Sequence, residues 1–167
     1  MSNWLVRLRV LLAVLGTAVV CIALHEGGHA LAGWMTGGRI AEFDILSLRP
    51  HVRLVGPASD ATNALRATAG SVLIVAVWFA LALMPVRRGT LVIQTVSCFA
   101  GMELTGWLLS AVVHPWQPQR NDAGAFLKLS GSHPLFVVLT CAALALAAWL
   151  VVQARHRSDS RQVFPAL

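Results

Sequence analysis

Charge is scarce in this chain: only 12% of its 167 residues are Asp, Glu, Lys or Arg, against about 25% in soluble domains. Polar helix faces of the kind a soluble all-helical protein needs are therefore missing, and 57% of the residues are hydrophobic. Cysteine is sparse too. Cys21, Cys98 and Cys141 each sit alone in an apolar run without CxxC spacing, which excludes a disulfide framework and leaves small core side chains. No concentrated basic patch exists. The 13 Lys and Arg mostly flank apolar runs, so the formal charge of +6 reads as membrane-flanking charge and argues against a nucleic-acid partner. No A-x-A-like site closes the N-terminal apolar run, so it reads as a retained helix and not a cleaved signal. No internal repeat or low-complexity tract divides the chain, and residues 1–167 read as one domain.

What the chain does have is apolar length. Runs at roughly residues 10–35, 67–86, 90–113 and 134–154 each meet the ~20 residues needed to cross a bilayer. They predict an all-α membrane protein with about four transmembrane helices, followed by a short polar tail over 155–167. Between the first two runs, "GGRIAEFDILSLRPHVRLV" holds β-branched and aromatic residues in short stretches broken at Arg49-Pro50. That pattern predicts a membrane-associated β-hairpin, and the alternation in "EFDI" and "HVRLV" gives it one wet face. An irregular surface loop is the competing reading. With four spans, the hairpin and the 115–133 loop share one side, and the termini and the 87–89 turn share the other. Seven Arg flank the terminal side and six Lys or Arg the hairpin side, so charge does not set the orientation.

Near the end of the first apolar run stands His25-Glu26-Gly27-Gly28-His29, an HExxH match. Residues i and i+4 share a helix face, so two imidazoles can bind one zinc ion while the intervening glutamate reaches a bound water. Six His and three Glu in 167 residues would produce roughly 0.004 such matches by chance. An intramembrane ionisable residue defaults to a functional reading, although histidines hydrogen-bonding across a bundle, or a haem or copper site, are the alternatives. Gly27 and Gly28 would let another backbone approach the metal or simply pack against a neighbouring helix.

A catalytic zinc has three protein ligands and an open position, so one more ligand is needed. His51, His114, Asp122 and His133 lie on the correct side, and Glu103 lies inside the third span. Asp122 is the first choice. It stands in "QRNDAGAFLKLSG", where Asn121 or Asp122 can cap a short helix whose Phe126, Leu127 and Leu129 pack back into the bundle mouth; a pure capping role is its competing reading. Glu103 is the second choice, as ligand or polar partner.

These residues resemble those of the site-2 protease family of intramembrane zinc metallopeptidases. The likeness rests on HExxH in the first long apolar helix, the "TGGRI" exit into strands, and a later Asp in "NDAGAFLKLSG". It implies His25, His29 and Asp122 as ligands of one Zn2+ per chain and Glu26 as general base. It further implies cleavage of membrane-protein or transmembrane-peptide substrates in the lipid bilayer of a cell membrane, with the hairpin side facing the cytoplasm. The apolar hairpin residues Phe43, Ile45, Val52 and Leu54 would then present substrate in extended form. The family's Leu-Asp-Gly is here Asn121-Asp122-Ala123, and "AGSVLIV" stands where a Gly-Pro-x-x-Asn pattern is usual. Without appended domains in the sequence, the chain reads as a compact, core-only member. Two other classes stay open: a catalytically silent membrane zinc protein that binds partner helices, and a metal transporter or haem-binding membrane protein.

Overall fold

The computed structural model describes residues 3–47, 49–84, 91–113 and 122–163. Among them are five helices and one two-stranded sheet, in the order α1 (Asn3–Met35), β1 (Arg39–Asp44), β2 (His51–Val55), α2 (Asp60–Leu83), α3 (Leu91–Val113), α4 (Asp122–Ser130) and α5 (Pro134–Val163). Four of the helices are long and apolar enough to cross a membrane: Trp4–Met35, Asp60–Leu83, Leu91–Val113 and Pro134–Gln153. Their outward faces carry large apolar side chains such as Leu11, Leu12 and Val20 of α1 and Leu146, Trp149 and Leu150 of α5. Lipid accommodates such faces and water does not. The fold is that of an all-α membrane protein with a β-hairpin after the first helix.

Four boundaries differ from the sequence expectation. The first helix begins at Asn3, not residue 10, because the Arg7 and Arg9 segment continues the helix instead of preceding it. The second begins at Asp60, not residue 67, because the Ser59 hydroxyl accepts the Thr62 N–H and caps a polar first turn. It ends at Leu83, short of residue 86. The last helix runs to Val163 through most of what read as a polar tail, since no glycine or proline interrupts residues 155–163. The 87–89 turn lies outside the described residues.

Two apolar clusters hold the bundle. Cys21 of α1, Ile74 of α2, and Val96 and Ala100 of α3 form one. Ala111 of α3, Leu127 of α4, and Val137 and Cys141 of α5 form the other, so the short α4 is pinned in the bundle by the fully buried Leu127. Trp78 of α2 donates to the Ser97 hydroxyl of α3 at 2.8 Å, a cross-helix hydrogen bond of the kind that stabilises membrane bundles.

The end of α1 sets the hairpin's position. Gly37, at φ +77°, donates to the Trp34 carbonyl, and Gly38 donates to the Gly33 carbonyl, a Schellman ending that turns the chain into β1. Strands β1 and β2 pair antiparallel, with Phe43 opposite Val52 and Ile40 opposite Leu54. A bulge between Ile40 and Glu42 breaks the expected alternation. Ile45 falls beyond β1, in the turn where the Asp44 carboxylate accepts the N–H groups of Leu46 and Ser47. It is therefore not a strand residue as the pattern suggested.

Candidate metal centre

His25 and His29 project from α1 one helical turn apart, with edge-to-face rings whose centroids lie 4.8 Å apart. Their Nε2 atoms are 3.1 Å apart. The Oδ2 atom of Asp122, in the first turn of α4, lies 3.2 Å from each of them. These three atoms form a nearly equilateral triangle. Zinc–ligand bonds of about 2.0–2.1 Å in a tetrahedron separate neighbouring ligand atoms by roughly 3.3 Å, close to what is found here. Among the described residues, His25, His29 and Asp122 are the one group of three able to converge on a metal ion.

The acceptors behind the rings decide which face of each imidazole carries the lone pair. His29 Nδ1 lies 2.6 Å from the Arg66 carbonyl of α2, an acceptor only, so Nδ1 holds the proton and Nε2 presents a lone pair. His25 Nδ1 faces Glu103 Oε1 of α3 at 3.0 Å, a contact too bent for a well-aligned hydrogen bond, which likewise favours the proton on Nδ1. Two bare nitrogens and a carboxylate oxygen then point at one another. Such a convergence of lone pairs is repulsive unless a cation or a proton lies between them, so the donor set fits a zinc ion.

Glu103 is held in turn. Its Oε2 accepts the Ser71 hydroxyl at 2.6 Å, and the Ser71 oxygen accepts the Trp107 indole N–H at 2.9 Å. A chain thus runs from α3 through α2 to the His25 ring, in the position where metal sites keep the partners that orient their ligands. Gly70 makes room for the site. A Cβ there would fall 2.5 Å from His29 Nε2 and 2.8 Å from the His25 carbonyl, so glycine lets α2 lie against the two rings. Gly28 does the same from α1, where a Cβ would meet the Ala69 carbonyl at 2.5 Å, whereas Gly27 faces open space.

Glu26 is buried and shares an open cleft with His25, His29, Asp122 and the hairpin residues His51, Val52 and Leu54. Asp122 lies outside the spans. Burial would raise its pKa, but where a proton and not a cation lies between the three atoms, hydrogen bonds from His25 and His29 outweigh that and hold the carboxyl well below the usual range. His51 donates to the Arg49 carbonyl and sits near Glu42, which raises its pKa above that of a free histidine. It lines the cleft without joining the triangle.

The sequence candidates thus separate. His25, His29 and Asp122 come together, Glu26 stands in their cleft, and Glu103 lies behind His25 instead of among the converging atoms. His133 caps α5 through the Leu135 N–H, away from the triangle. His114 and Asn121 lie outside the described residues. Of the hairpin set, Val52 and Leu54 line the cleft, and Phe43 and Ile45 do not. Ser71, Trp107, Gly70 and the Arg66 carbonyl were not foreseen; polar residues inside apolar runs were the signal for the first two. Arg66 is buried, and its Nε donates to the Thr36 hydroxyl at 2.9 Å, tying α2 to the end of α1 beside the site. No protein-family model, curated protein or solved structure matches this chain.

Proposed function

We propose that the chain is a zinc-dependent endopeptidase that hydrolyses peptide bonds in or near transmembrane segments of membrane proteins, a compact relative of the site-2 proteases acting in a cell membrane. The observation that carries this reading is the convergence of His25 Nε2, His29 Nε2 and Asp122 Oδ2, with the buried Glu26 lining the same open cleft. Bound there, one zinc per chain would supply Lewis acidity, making water more acidic and polarising the scissile carbonyl. Glu26 would take the proton from the attacking water and return it to the leaving amine. His29, fixed by the Arg66 carbonyl, and His25, backed by Glu103, would hold their lone pairs in place throughout.

The cleft also supports a substrate geometry. Strand β2 contributes His51, Val52 and Leu54 to its wall, and a two-stranded sheet leaves its outer edge unpaired. A substrate segment added to that edge would be extended, freeing a peptide carbonyl that a helix keeps hydrogen-bonded. Substrates with Gly, Pro or polar residues inside their span should be preferred. A transporter would need ligands continuing along the spans; one cluster among the described residues favours the peptidase.

The test is zinc content together with cleavage of a fluorescent transmembrane-peptide library in liposomes. The natural protein should bind about one zinc per chain and cleave. Glu26→Gln should keep the zinc and lose at least 100-fold in turnover, in line with the general-base contribution. Asp122→Ala should lose both. Full zinc occupancy without cleavage by any form would point to a silent helix-binding protein. Absence of zinc would return HEGGH to a packing role.

A further inference from the structure

Behind the candidate metal centre, with Glu103 in its wall, a cavity of about 380 Å³ lies among α2, α3, α4 and α5. That volume is within the range of sites for small ligands, about 300–1,000 Å³. His25, Glu26 and Asp122 do not line it, so it is separate from the cleft described above. Its mouth is marked by the exposed Val72 of α2 and Phe136 of α5, and its inner wall by Trp107 and Phe126.

The polar residues around it are already satisfied. Thr68 donates to the Leu65 carbonyl and Thr140 to the Phe136 carbonyl, both at 2.8 Å. Glu103, which also lines the cavity, is engaged by the Ser71 hydroxyl at Oε2 and by His25 at Oε1, and Trp107 donates to Ser71. The surface left facing the cavity is wholly apolar. Its occupant therefore finds no hydrogen-bond partner. An unpaired peptide segment would leave its backbone groups unsatisfied, and a helix of about 10–12 Å diameter is too thick to enter. An apolar cavity does not hold water well. The apolar material that surrounds spanning helices is lipid hydrocarbon.

We propose that this cavity is an acyl-chain site: the hydrocarbon tail of a membrane lipid enters between α2 and α5 and packs on Trp107 and Phe126. The site is independent of the peptidase reading. It does place the tail against Trp107 and Ser71, the outer members of the chain that ends at His25.

The protein in phospholipid vesicles containing a small fraction of phosphatidylcholine with a diazirine near the acyl terminus, irradiated and mapped by peptide mass spectrometry, tests this. Adducts should appear on residues 72–79 and 136–144 and saturate with probe. Dilution with unlabelled phosphatidylcholine should lower them. Ala76→Trp and Val72→Trp, which fill the cavity from two positions, should each reduce these adducts at least tenfold while leaving those at the lipid-facing Leu150 unchanged. Circular dichroism melting identifies which of the two variants is folded and to be compared. Labelling that never exceeds that at Leu150 and does not saturate would mean bulk lipid contact only and overturn the proposal. Displacement by a transmembrane peptide but not by unlabelled lipid would overturn it too, assigning the cavity to substrate side chains.

Discussion

Replacing Gly70 with alanine should disable the proposed metal centre without removing any of its candidate ligands. The new Cβ would stand 2.5 Å from His29 Nε2, 2.8 Å from the His25 carbonyl oxygen and 3.0 Å from His25 Cδ2. Carbon contacts rest at about 3.5–4.0 Å, so roughly 1 Å of movement is required. The His29 ring cannot supply it cheaply, since its Nδ1 is tied to the Arg66 carbonyl at 2.6 Å. The His25 carbonyl is backbone inside α1, so it moves only if α1 and α2 part, and Gly28 already packs on Ala69 and Gly70 there. Overpacking of this kind costs about 1–3 kcal/mol. A ligand atom displaced by about half its bond length no longer binds well, and zinc affinity should fall by about 100-fold, or about 2.8 kcal/mol. The assay is competition for zinc against a chromophoric chelator, on protein whose helicity and melting are followed by circular dichroism. Gly27→Ala is the matched control. A Cβ there meets nothing within 4 Å, so its zinc affinity should stay within about threefold of the natural protein and its helix should gain up to about 1 kcal/mol. Natural zinc affinity in a folded Gly70→Ala would show that the close approach of α2 to the two rings does not govern metal binding.

Glu103→Gln keeps the size of the side chain but weakens its hold on His25, and should lower zinc affinity by about 10–100-fold in the same chelator assay. Ser59→Ala removes the cap of α2 and should destabilise the protein by about 0.5–2 kcal/mol in reversible unfolding, with zinc affinity unchanged. Acid should release the metal through the imidazoles, because Asp122 stays ionised below the usual carboxylate range. Free histidine titrates near pH 6.5 and metal binding requires the neutral ring, so a zinc-responsive dye should report release between about pH 6.5 and 5, reversed on returning to pH 7.5. Retention down to about pH 4 would contradict a histidine-built site.

The spans and the helical pairing of His25 with His29 were legible because hydrophobic length and i, i+4 spacing are local properties. Helix ends were less so. The polar first turns of α2 carry the buried Arg66, whose acceptor Thr36 is 30 residues away, and no local pattern announces that pairing. The end of α5 is polar yet contains nothing that breaks a helix, so composition and backbone disagree there. Asp122 could be named from its place in a short capped helix, but its approach to both rings depends on Leu127 anchoring α4 in the bundle. Glu103 was conspicuous as an intramembrane acid; its place behind His25 comes from the packing of α3 on α1. Alternation continues through "FDI" in the sequence, yet Ile45 leaves the strand because the Asp44 side chain turns the backbone. Gly70 gave no local sign at all, since its role is to be small where two helices meet.

Everything proposed for the cleft rests on two imidazoles and one carboxylate holding a single zinc ion. Zinc-edge X-ray absorption of the purified, zinc-loaded protein tests it directly. About one zinc per chain is expected, with two imidazole nitrogens and additional oxygen donors at about 2.0–2.2 Å and no sulfur at about 2.3 Å, and the signal should be lost in Asp122→Ala. A sulfur shell, a single imidazole, or an unchanged spectrum in folded Asp122→Ala would contradict it.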